Sequence, residues 1–193
     1  MMNNSTKLAL RRREFLASVP CLILSERFLL RSSDSHAGSL IQQELPEELS
    51  PKEAEWVQNS SMAKELLDYF GKGYSCAESL FMVSLKFLKK PEDLVWAAAG
   101  FGGGLYHRDL CGFLTGGIMA IGISSGMLKK EREEAKEFSK KGVNQYWEWW
   151  TSLAPLHCSE IREERKSSQA CVRLGQLAAA KTEDLITPVK SSG

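Results

Sequence analysis

The chain has 193 residues, of which 43% are hydrophobic and 25% charged, proportions that are typical of a globular protein with one domain. Its 25 lysines and arginines nearly balance 24 aspartates and glutamates, which leaves a formal net charge of +1. This balance excludes the basic excess that drives sequence-independent binding to nucleic acid. No apolar run approaches the roughly 20 residues of a membrane-spanning helix. We therefore expect neither a nucleic-acid partner nor a transmembrane protein.

Residues 1–37 have the pattern of an export signal. Arg11, Arg12 and Arg13 precede an apolar stretch over 16–24, in the order of the basic and apolar regions of a signal peptide. The string over 12–16, Arg-Arg-Glu-Phe-Leu, resembles a twin-arginine signal. A cleavage site is expected after Ser-His-Ala at 35–37. These features predict export to the periplasm, and a basic N-terminal arm is the alternative.

Helix caps and apolar periodicity divide the rest of the chain. Ser50 with Glu53 and Ser75 with Glu78 have the spacing of capping boxes, which predicts helices over 51–70 and 76–89. Asp109 is the expected cap of a later helix that starts at residue 110. The remaining helices are predicted over 92–99, 110–124, 129–152, 159–165 and 169–181.

No segment shows the period-two alternation of a strand, so the sequence predicts an all-α fold. We expect a compact bundle of about six to seven helices with a glycine-rich loop at 102–104. The helical domain is expected over 50–182, after a linker over 38–49 and before a flexible tail over 183–193. The aromatic cluster Trp147, Trp149 and Trp150 is expected to lie in the core.

Cysteines are the main candidates for chemistry. Four of the five lie beyond the signal segment, at Cys76, Cys111, Cys158 and Cys171, whereas Cys21 is expected to leave with the signal. The predicted caps place three of them in first helical turns, with Cys76 at position one after Ser75, Cys111 at position two after Asp109 and Cys171 at position three after Ser168. A helix N-terminus offers free N–H groups and a partial positive charge, so we expect lowered thiol pKa values.

Spacing alone leaves inert, buried cysteines as an alternative. Four sulfurs on one tetrahedral metal would lie about 3.8 Å apart. Cys158 and Cys171 would be about 20 Å apart in one straight helix, so we expect a turn over 165–168 that brings them together. His107 near the glycine loop and His157 beside Cys158 are candidates for a fifth ligand or a proton carrier. The chain has no C-x-x-C-H string for covalent haem.

Three strings carry a resemblance to a known family. They are Gly73-Tyr74-Ser75-Cys76-Ala77, Phe101-Gly102-Gly103-Gly104 and Cys111-Gly112-Phe113-Leu114-Thr115-Gly116-Gly117, followed by two further cysteines. Over about residues 62–178 the chain resembles the C_GCAxxG_C_C family of redox-active proteins. It departs from the family motif at Phe113, where the family has alanine.

The resemblance implies a small helical domain with four functional cysteines, found beside oxidoreductase or transporter components that include molybdopterin oxidoreductases. Some members carry a twin-arginine signal. A similar domain in split-Soret cytochromes c is thought to hold an iron–sulfur centre beside haem, whereas this chain lacks the haem motif. The resemblance therefore implies a redox partner protein and an iron–sulfur cofactor.

Together these observations predict an electron-transfer protein rather than a stand-alone enzyme. We expect an iron–sulfur cluster to be held by Cys76, Cys111, Cys158 and Cys171. The residues expected around the cluster are Gly102, Gly103, Gly104, Gly112, Gly116 and His107. One alternative is a thiol–disulfide oxidoreductase or redox sensor that uses the same cysteines. Another is a structural zinc site, which the absence of C-x-x-C pairs disfavours.

Overall fold

The structure, a computed structural model, describes residues 45–46, 48–163 and 169–187. Within these residues the chain forms seven α-helices and no strand, which confirms the predicted all-α class. A single isolated bridge, from Leu110 to His157, is the only β feature of the described part. The predicted signal over 1–37 lies outside the described residues. The helices are α1 Pro51–Asn59, α2 Ser61–Phe70, α3 Cys76–Phe87, α4 Gly112–Leu128, α5 Arg132–Leu153, α6 Cys158–Glu163 and α7 Gln169–Ile186.

Both predicted capping boxes are present. The backbone N–H of Ser75 donates to Glu78 over 2.9 Å, and the Ser75 hydroxyl accepts from the Glu78 backbone N–H over 3.4 Å. Ser50 and Glu53 make the same pair of bonds at the start of α1. These local bonds satisfy backbone donors that a helix start leaves free. The predicted starts of α1 and α3 are therefore confirmed.

The prediction of one continuous helix over 51–70 is wrong, because the chain breaks at Ser60. Ser60 has extended backbone angles, φ −90° and ψ 126°. Its hydroxyl accepts a hydrogen bond from Ala63 N over 3.0 Å and donates one to Glu183 over 2.6 Å. Ser60 thus ends α1 and caps α2, with a partner from the far end of the domain.

Further helix boundaries differ from the prediction, most clearly the start of α4 and the end of α7. Helix α4 begins at Gly112 with Cys111 as its N-cap, so Asp109 does not cap it. Helix α7 continues beyond residue 181 to Ile186, whose side chain is buried. Near this end, the Glu183 carboxylate accepts a hydrogen bond from Met62 N over 2.8 Å. Residues 183–186 therefore belong to the helical domain and not to the tail.

Between α3 and α4 the backbone follows a 3₁₀ helix, Glu92–Phe101, and a π-helical turn, Gly104–Arg108. The 3₁₀ helix corresponds to the short helix predicted over 92–99. Helix α6 begins one residue before its predicted start, and the predicted turn over 165–168 lies outside the described residues. Among the described residues, none of the helices combines the length and the apolar character that a bilayer crossing requires.

The core forms where α4 packs between α3, α5 and α7. Gly116 and Gly117 allow this close approach, since a Cβ atom on Gly116 would lie 2.8 Å from Ala77 O and one on Gly117 2.6 Å from the Tyr146 ring. Tyr146 is fully buried and donates a hydrogen bond to Phe113 O over 3.0 Å. This close packing offsets the cost of about 1 kcal/mol by which each glycine destabilises a helix relative to alanine.

The tryptophan cluster of α5 is divided between core and surface. Trp150 is fully buried, as expected for the core, and its indole N–H donates to Pro155 O over 2.9 Å. Trp149 is half-buried and stacks on Tyr146 with ring centroids 5.5 Å apart. Trp147 is exposed. Two of the three indoles therefore contribute to the core, and the third does not.

Candidate functional site

A cavity of about 180 Å³ lies at the starts of four helices, and all four predicted cysteines line it. This volume equals the space of about six water molecules in the liquid. Each cysteine lies at the start of a helix. Cys76 and Cys158 are the first residues of α3 and α6, Cys111 is the N-cap of α4, and Cys171 is the third described residue of α7. The other lining residues are Phe70, Ser75, Gly103, Phe113, Ile161 and Arg162.

The four thiols are free and line one cavity. No disulfide joins any of them. Among the described residues, no three Cys, His, Asp or Glu side chains stand close enough to hold one metal ion. Four thiolates on one tetrahedral ion would lie about 3.8 Å apart.

Three glycines pack against the turn that carries Cys76. A Cβ atom on Gly112 would lie 2.5 Å from the Cys76 sulfur, and one on Gly102 would lie 2.6 Å from Ser75 Cβ. On Gly116 a Cβ would meet Ala77 O at 2.8 Å. A side chain at any of these positions would push α3 away from its neighbours. These glycines, expected from the sequence to surround the site, thus set the position of Cys76.

The glycine loop forms one wall of the cavity. Gly103 lines it, and Gly103 and Gly104 both adopt left-handed backbone angles, with φ of 58° and 68°, which glycine adopts without the steric cost of a side chain. A Cβ on Gly104 would lie 2.5 Å from Asp109 O and 2.8 Å from Cys158 Cβ. Only glycine therefore fits between the loop and the start of α6.

The segments that precede α4 and α6 are paired through their backbones. Cys111 N donates to Leu156 O over 2.8 Å, and Cys158 N donates to Asp109 O over 2.7 Å. These two bonds lie on either side of the antiparallel Leu110–His157 bridge. They therefore hold Cys111 and Cys158 on adjacent segments of the backbone. This pairing, and not a cap at Asp109, positions both thiols.

Neither candidate histidine lines the cavity. His107 is exposed, in the π-helical turn after the glycine loop. His157 is also exposed, and its Nδ1 lies 2.8 Å from Asp109 Oδ1. Its backbone N–H donates to Glu160 over 3.2 Å. His157 therefore braces the start of α6, while the structure does not bring His107 to the sulfurs.

Burial dominates the electrostatics of the thiols. It raises the pKa of Cys111 far above the usual value, and the nearby sulfurs of Cys76 and Cys171 raise it further. The backbone N–H groups of Phe113 and Leu114 oppose this effect only in part. The expectation that helix starts would lower this pKa is therefore wrong, because desolvation of a thiolate outweighs a helix end.

The same cause raises the pKa of Cys158 and of Cys171, although the positive charge of Arg162 opposes it at both thiols. Without a bound cation these thiols hold their protons at neutral pH. A bound metal centre would replace those protons and stabilise the thiolates, so its binding would release protons. The donor set is thus suited to a strongly cationic group.

Arg162 is a functional residue that the sequence analysis missed. It follows Cys158 by four residues on α6 and lines the same cavity, and its positive charge acts to lower the pKa of the Cys158 thiol. Residues four apart share a helix face, so this spacing was a usable signal.

Phe113, which stands where the family motif has alanine, packs against Gly175. A Cβ atom on Gly175 would lie 2.6 Å from the Phe113 ring, so the glycine leaves room for the ring.

The comparisons with known proteins agree with this arrangement. A family model described as "Putative redox-active protein (C_GCAxxG_C_C)" matches residues 74–185. The matched region contains the four cysteines and the glycine loop. No curated protein and no solved structure matches the chain.

Proposed function

Because the chain belongs to the C_GCAxxG_C_C family of redox-active proteins, we propose that Cys76, Cys111, Cys158 and Cys171 hold an iron–sulfur cluster and that the protein transfers electrons. The observation that carries this proposal is the single cavity that all four cysteines line. Four thiolates are the usual ligand set of a [2Fe–2S] or a [4Fe–4S] cluster. Burial of Cys111 disfavours its bare thiolate, which a bound metal centre would stabilise.

The size of the cavity supports a cluster over a single zinc ion. No three of the candidate ligands in the described chain stand close enough to share one ion. In a cluster, iron and sulfide atoms occupy the space between the cysteine sulfurs, so these sulfurs lie farther apart than on one ion. A cavity of about 180 Å³ provides that space.

The residues around the cavity have separate tasks in this proposal. Phe70, Phe113 and Ile161 line it with apolar surface and limit the access of water. The backbone N–H groups of Phe113 and Leu114 face the Cys111 sulfur and stabilise negative charge there. Arg162 does the same at Cys158. A bound cluster would accept and release single electrons, and these donors would favour its reduced form.

We further propose that the electron partner is a redox protein, such as a component of an oxidoreductase complex, and that the chain is exported in folded form. The twin-arginine pathway fits a protein whose cofactor must be inserted where cysteines are reduced. The support is the arginine pair Arg12 and Arg13. Replacing both by lysine should retain the full-length chain inside the cell, and periplasmic recovery of that variant would contradict export by this route.

The direct test of the cofactor is elemental analysis of protein purified or reconstituted without oxygen. We expect a brown protein with visible absorbance, bound iron and a comparable amount of acid-labile sulfide. Zinc without sulfide would support the structural zinc site instead. A metal-free protein that loses two hydrogens per oxidation and regains them with reductant would support thiol–disulfide chemistry.

A further inference from the structure

A second cavity, of about 440 Å³, lies beside the turn that leads to Cys76. Gly73 and Tyr74 line this cavity, whereas the next two residues, Ser75 and Cys76, line the four-cysteine cavity. The remaining walls come from α3 and from the 3₁₀ helix Glu92–Phe101. No cysteine is among its described lining residues, so the cavity is separate from the proposed cluster site. Its volume falls within the range of about 300–1,000 Å³ that is usual for small-molecule sites.

Aromatic and apolar side chains form part of the cavity surface. Met82 and Val95 are buried and line it. Trp96 also lines it and is 75% exposed, the largest exposed fraction of any large hydrophobic side chain in the described part of the chain. Tyr74 is half-buried and packs edge-on against Tyr69, with ring centroids 5.4 Å apart. The indole of Trp96 therefore offers a flat aromatic face to a ligand in this cavity.

Carboxylates outnumber cations in the cavity wall. Glu78, Glu92 and Asp93 line it, and Lys72 is the one basic residue among the described lining residues. Three negative charges and one positive charge leave the lining with a formal net charge of −2. All three acids lie in first helical turns, and the partial positive charge of a helix start offsets them only in part. The cavity therefore attracts cations.

The lysines on the α2 side of the cavity have aromatic or acidic partners. The ammonium groups of Lys72 and Lys86 lie 5.8 and 5.4 Å from the centroid of the Tyr69 ring. Lys86 also pairs with Glu65. These contacts hold both lysines at Tyr69, so neither forms an ion pair with a carboxylate of the cavity wall.

Two of the wall carboxylates are left for a ligand. Within the described part of the chain, no ion pair engages Glu92 or Asp93. Lys89 and Lys90 precede them in the turn after α3, but neither lysine lines the cavity. In a 3₁₀ helix, residues three apart lie in line along one face. Asp93 therefore shares its face of the helix with Trp96, and both line the cavity.

We propose that this cavity binds a small organic cation, in which an ammonium or guanidinium group is joined to an apolar part. The cation pairs with Glu92 and Asp93 and lies against the indole of Trp96, because carboxylates and aromatic faces both attract positive charge. The apolar part contacts Met82 and Val95. This inference goes beyond the proposed electron transfer and does not depend on a cluster.

The test titrates two ligands that differ in charge into full-length, metal-free protein. Phenethylamine carries an ammonium group on a phenylethyl chain, and phenethyl alcohol has a neutral hydroxyl in its place. In protein with isotope-labelled tryptophan, the NMR signal of the Trp96 indole N–H reports binding, and Trp96→Phe assigns this signal. The other tryptophans of the chain are internal controls.

We expect phenethylamine to shift the Trp96 signal at about tenfold lower concentration than phenethyl alcohol, and raised salt to reduce this difference. Glu92→Gln with Asp93→Asn should weaken binding of phenethylamine about fivefold and leave that of phenethyl alcohol unchanged. Lys72→Gln removes the opposing charge and should strengthen binding of phenethylamine about twofold.

Glu133→Gln with Glu134→Gln is the matched control, since it removes two adjacent exposed carboxylates of α5 that do not line the cavity. It should leave the affinity for both ligands unchanged. A loss of phenethylamine affinity equal to that of the Glu92→Gln, Asp93→Asn variant would show a general charge effect and would overturn the proposal.

Equal affinity of the wild type for the two ligands would also overturn it. Lys72→Gln is an independent check, because damage to the fold cannot produce the expected gain in affinity, and an unchanged or weaker affinity would contradict the proposal. The protein is metal-free throughout, so these results do not bear on the cluster. Conversely, failure to bind iron after reconstitution would remove the proposed cofactor and leave the cation site intact.

Discussion

Gly112 faces the sulfur of Cys76 so closely that a Cβ atom on Gly112 would lie 2.5 Å from Sγ. The first residue of α4 and the first residue of α3 therefore meet at the cavity, with no room for a methyl group between them. The position of the candidate ligand Cys76 therefore depends on the absence of a side chain at Gly112. Substitution of this glycine tests the site as directly as substitution of the cysteine does.

Gly112→Ala should displace Cys76 from the cavity. We expect loss of most of the bound iron after reconstitution, together with a lower free energy of unfolding, because the new methyl group meets Sγ and the Ala77 backbone N. Gly122→Ala is the matched control, since it lies on the same helix with no atom within 4 Å of its added Cβ. The control should retain iron and gain about 1 kcal/mol in stability. Equal iron content in the two variants would contradict this account of Gly112.

Gly104→Ala should destabilise the fold more than Gly103→Ala. Both residues have left-handed backbone angles, and this alone costs alanine about 1–2 kcal/mol. An added Cβ on Gly104 also meets the Asp109 backbone at 2.5 Å, whereas one on Gly103 meets nothing within 4 Å. Urea unfolding of the metal-free variants measures the difference. Equal losses of unfolding free energy in the two variants would show that the glycine loop rearranges to accommodate the added methyl group.

The metal-free protein should lose stability as the pH rises above about 9. Burial raises the pKa of Cys111 above its usual value of 9.0, so the thiol ionises near pH 9 only in the unfolded chain. Its contribution to stability is complete below that pH and falls by up to about 1.4 kcal/mol for each further pH unit. Urea unfolding with reductant at about pH 8, 9 and 10 gives the slope. Cys111→Ala should reduce the slope, and an identical slope in that variant would assign the effect to other groups.

Glu53→Gln should weaken the link between the first and last helices. Glu53 of α1 pairs with Arg173 of α7, whose side chain is buried. The bond to Glu53 is made by Arg173 Nη2, and within the described residues Nε and Nη1 of Arg173 have no hydrogen-bond partner. Loss of the carboxylate charge leaves a buried cation uncompensated, which costs about 3 kcal/mol. Glu55→Gln, at an exposed position of the same helix, should change the free energy of unfolding by less than about 0.5 kcal/mol.

Local signals explain which parts of the fold were predictable. Ser75 and Glu78 form a cap within four residues, so the start of α3 and the place of Cys76 could be derived from the sequence. The break at Ser60 could not, because the hydroxyl of Ser60 donates to Glu183, 123 residues away. The end of α7 was missed for the same reason. Tertiary packing extends it to Ile186, whose carbonyl accepts a hydrogen bond from the Ser124 hydroxyl of α4.

The candidate site shows the same division. The helix-start position of Cys76 was a local prediction, but the place of Cys111 depends on hydrogen bonds between the segments before α4 and α6. Asp109 resembled a cap in the sequence, and in the structure it pairs with His157. Desolvation likewise has no sequence signal, so the raised pKa of Cys111 required the structure.

Iron content of single cysteine variants tests the central claim most directly, because one shared centre needs all of its ligands. We predict that full-length protein with Cys76→Ser, Cys111→Ser, Cys158→Ser or Cys171→Ser, reconstituted without oxygen, binds far less iron and sulfide than the wild type. Cys21→Ser, within the predicted signal segment, should bind the wild-type amount. Full iron and sulfide binding by all four of the first variants would show that these sulfurs do not share a cluster.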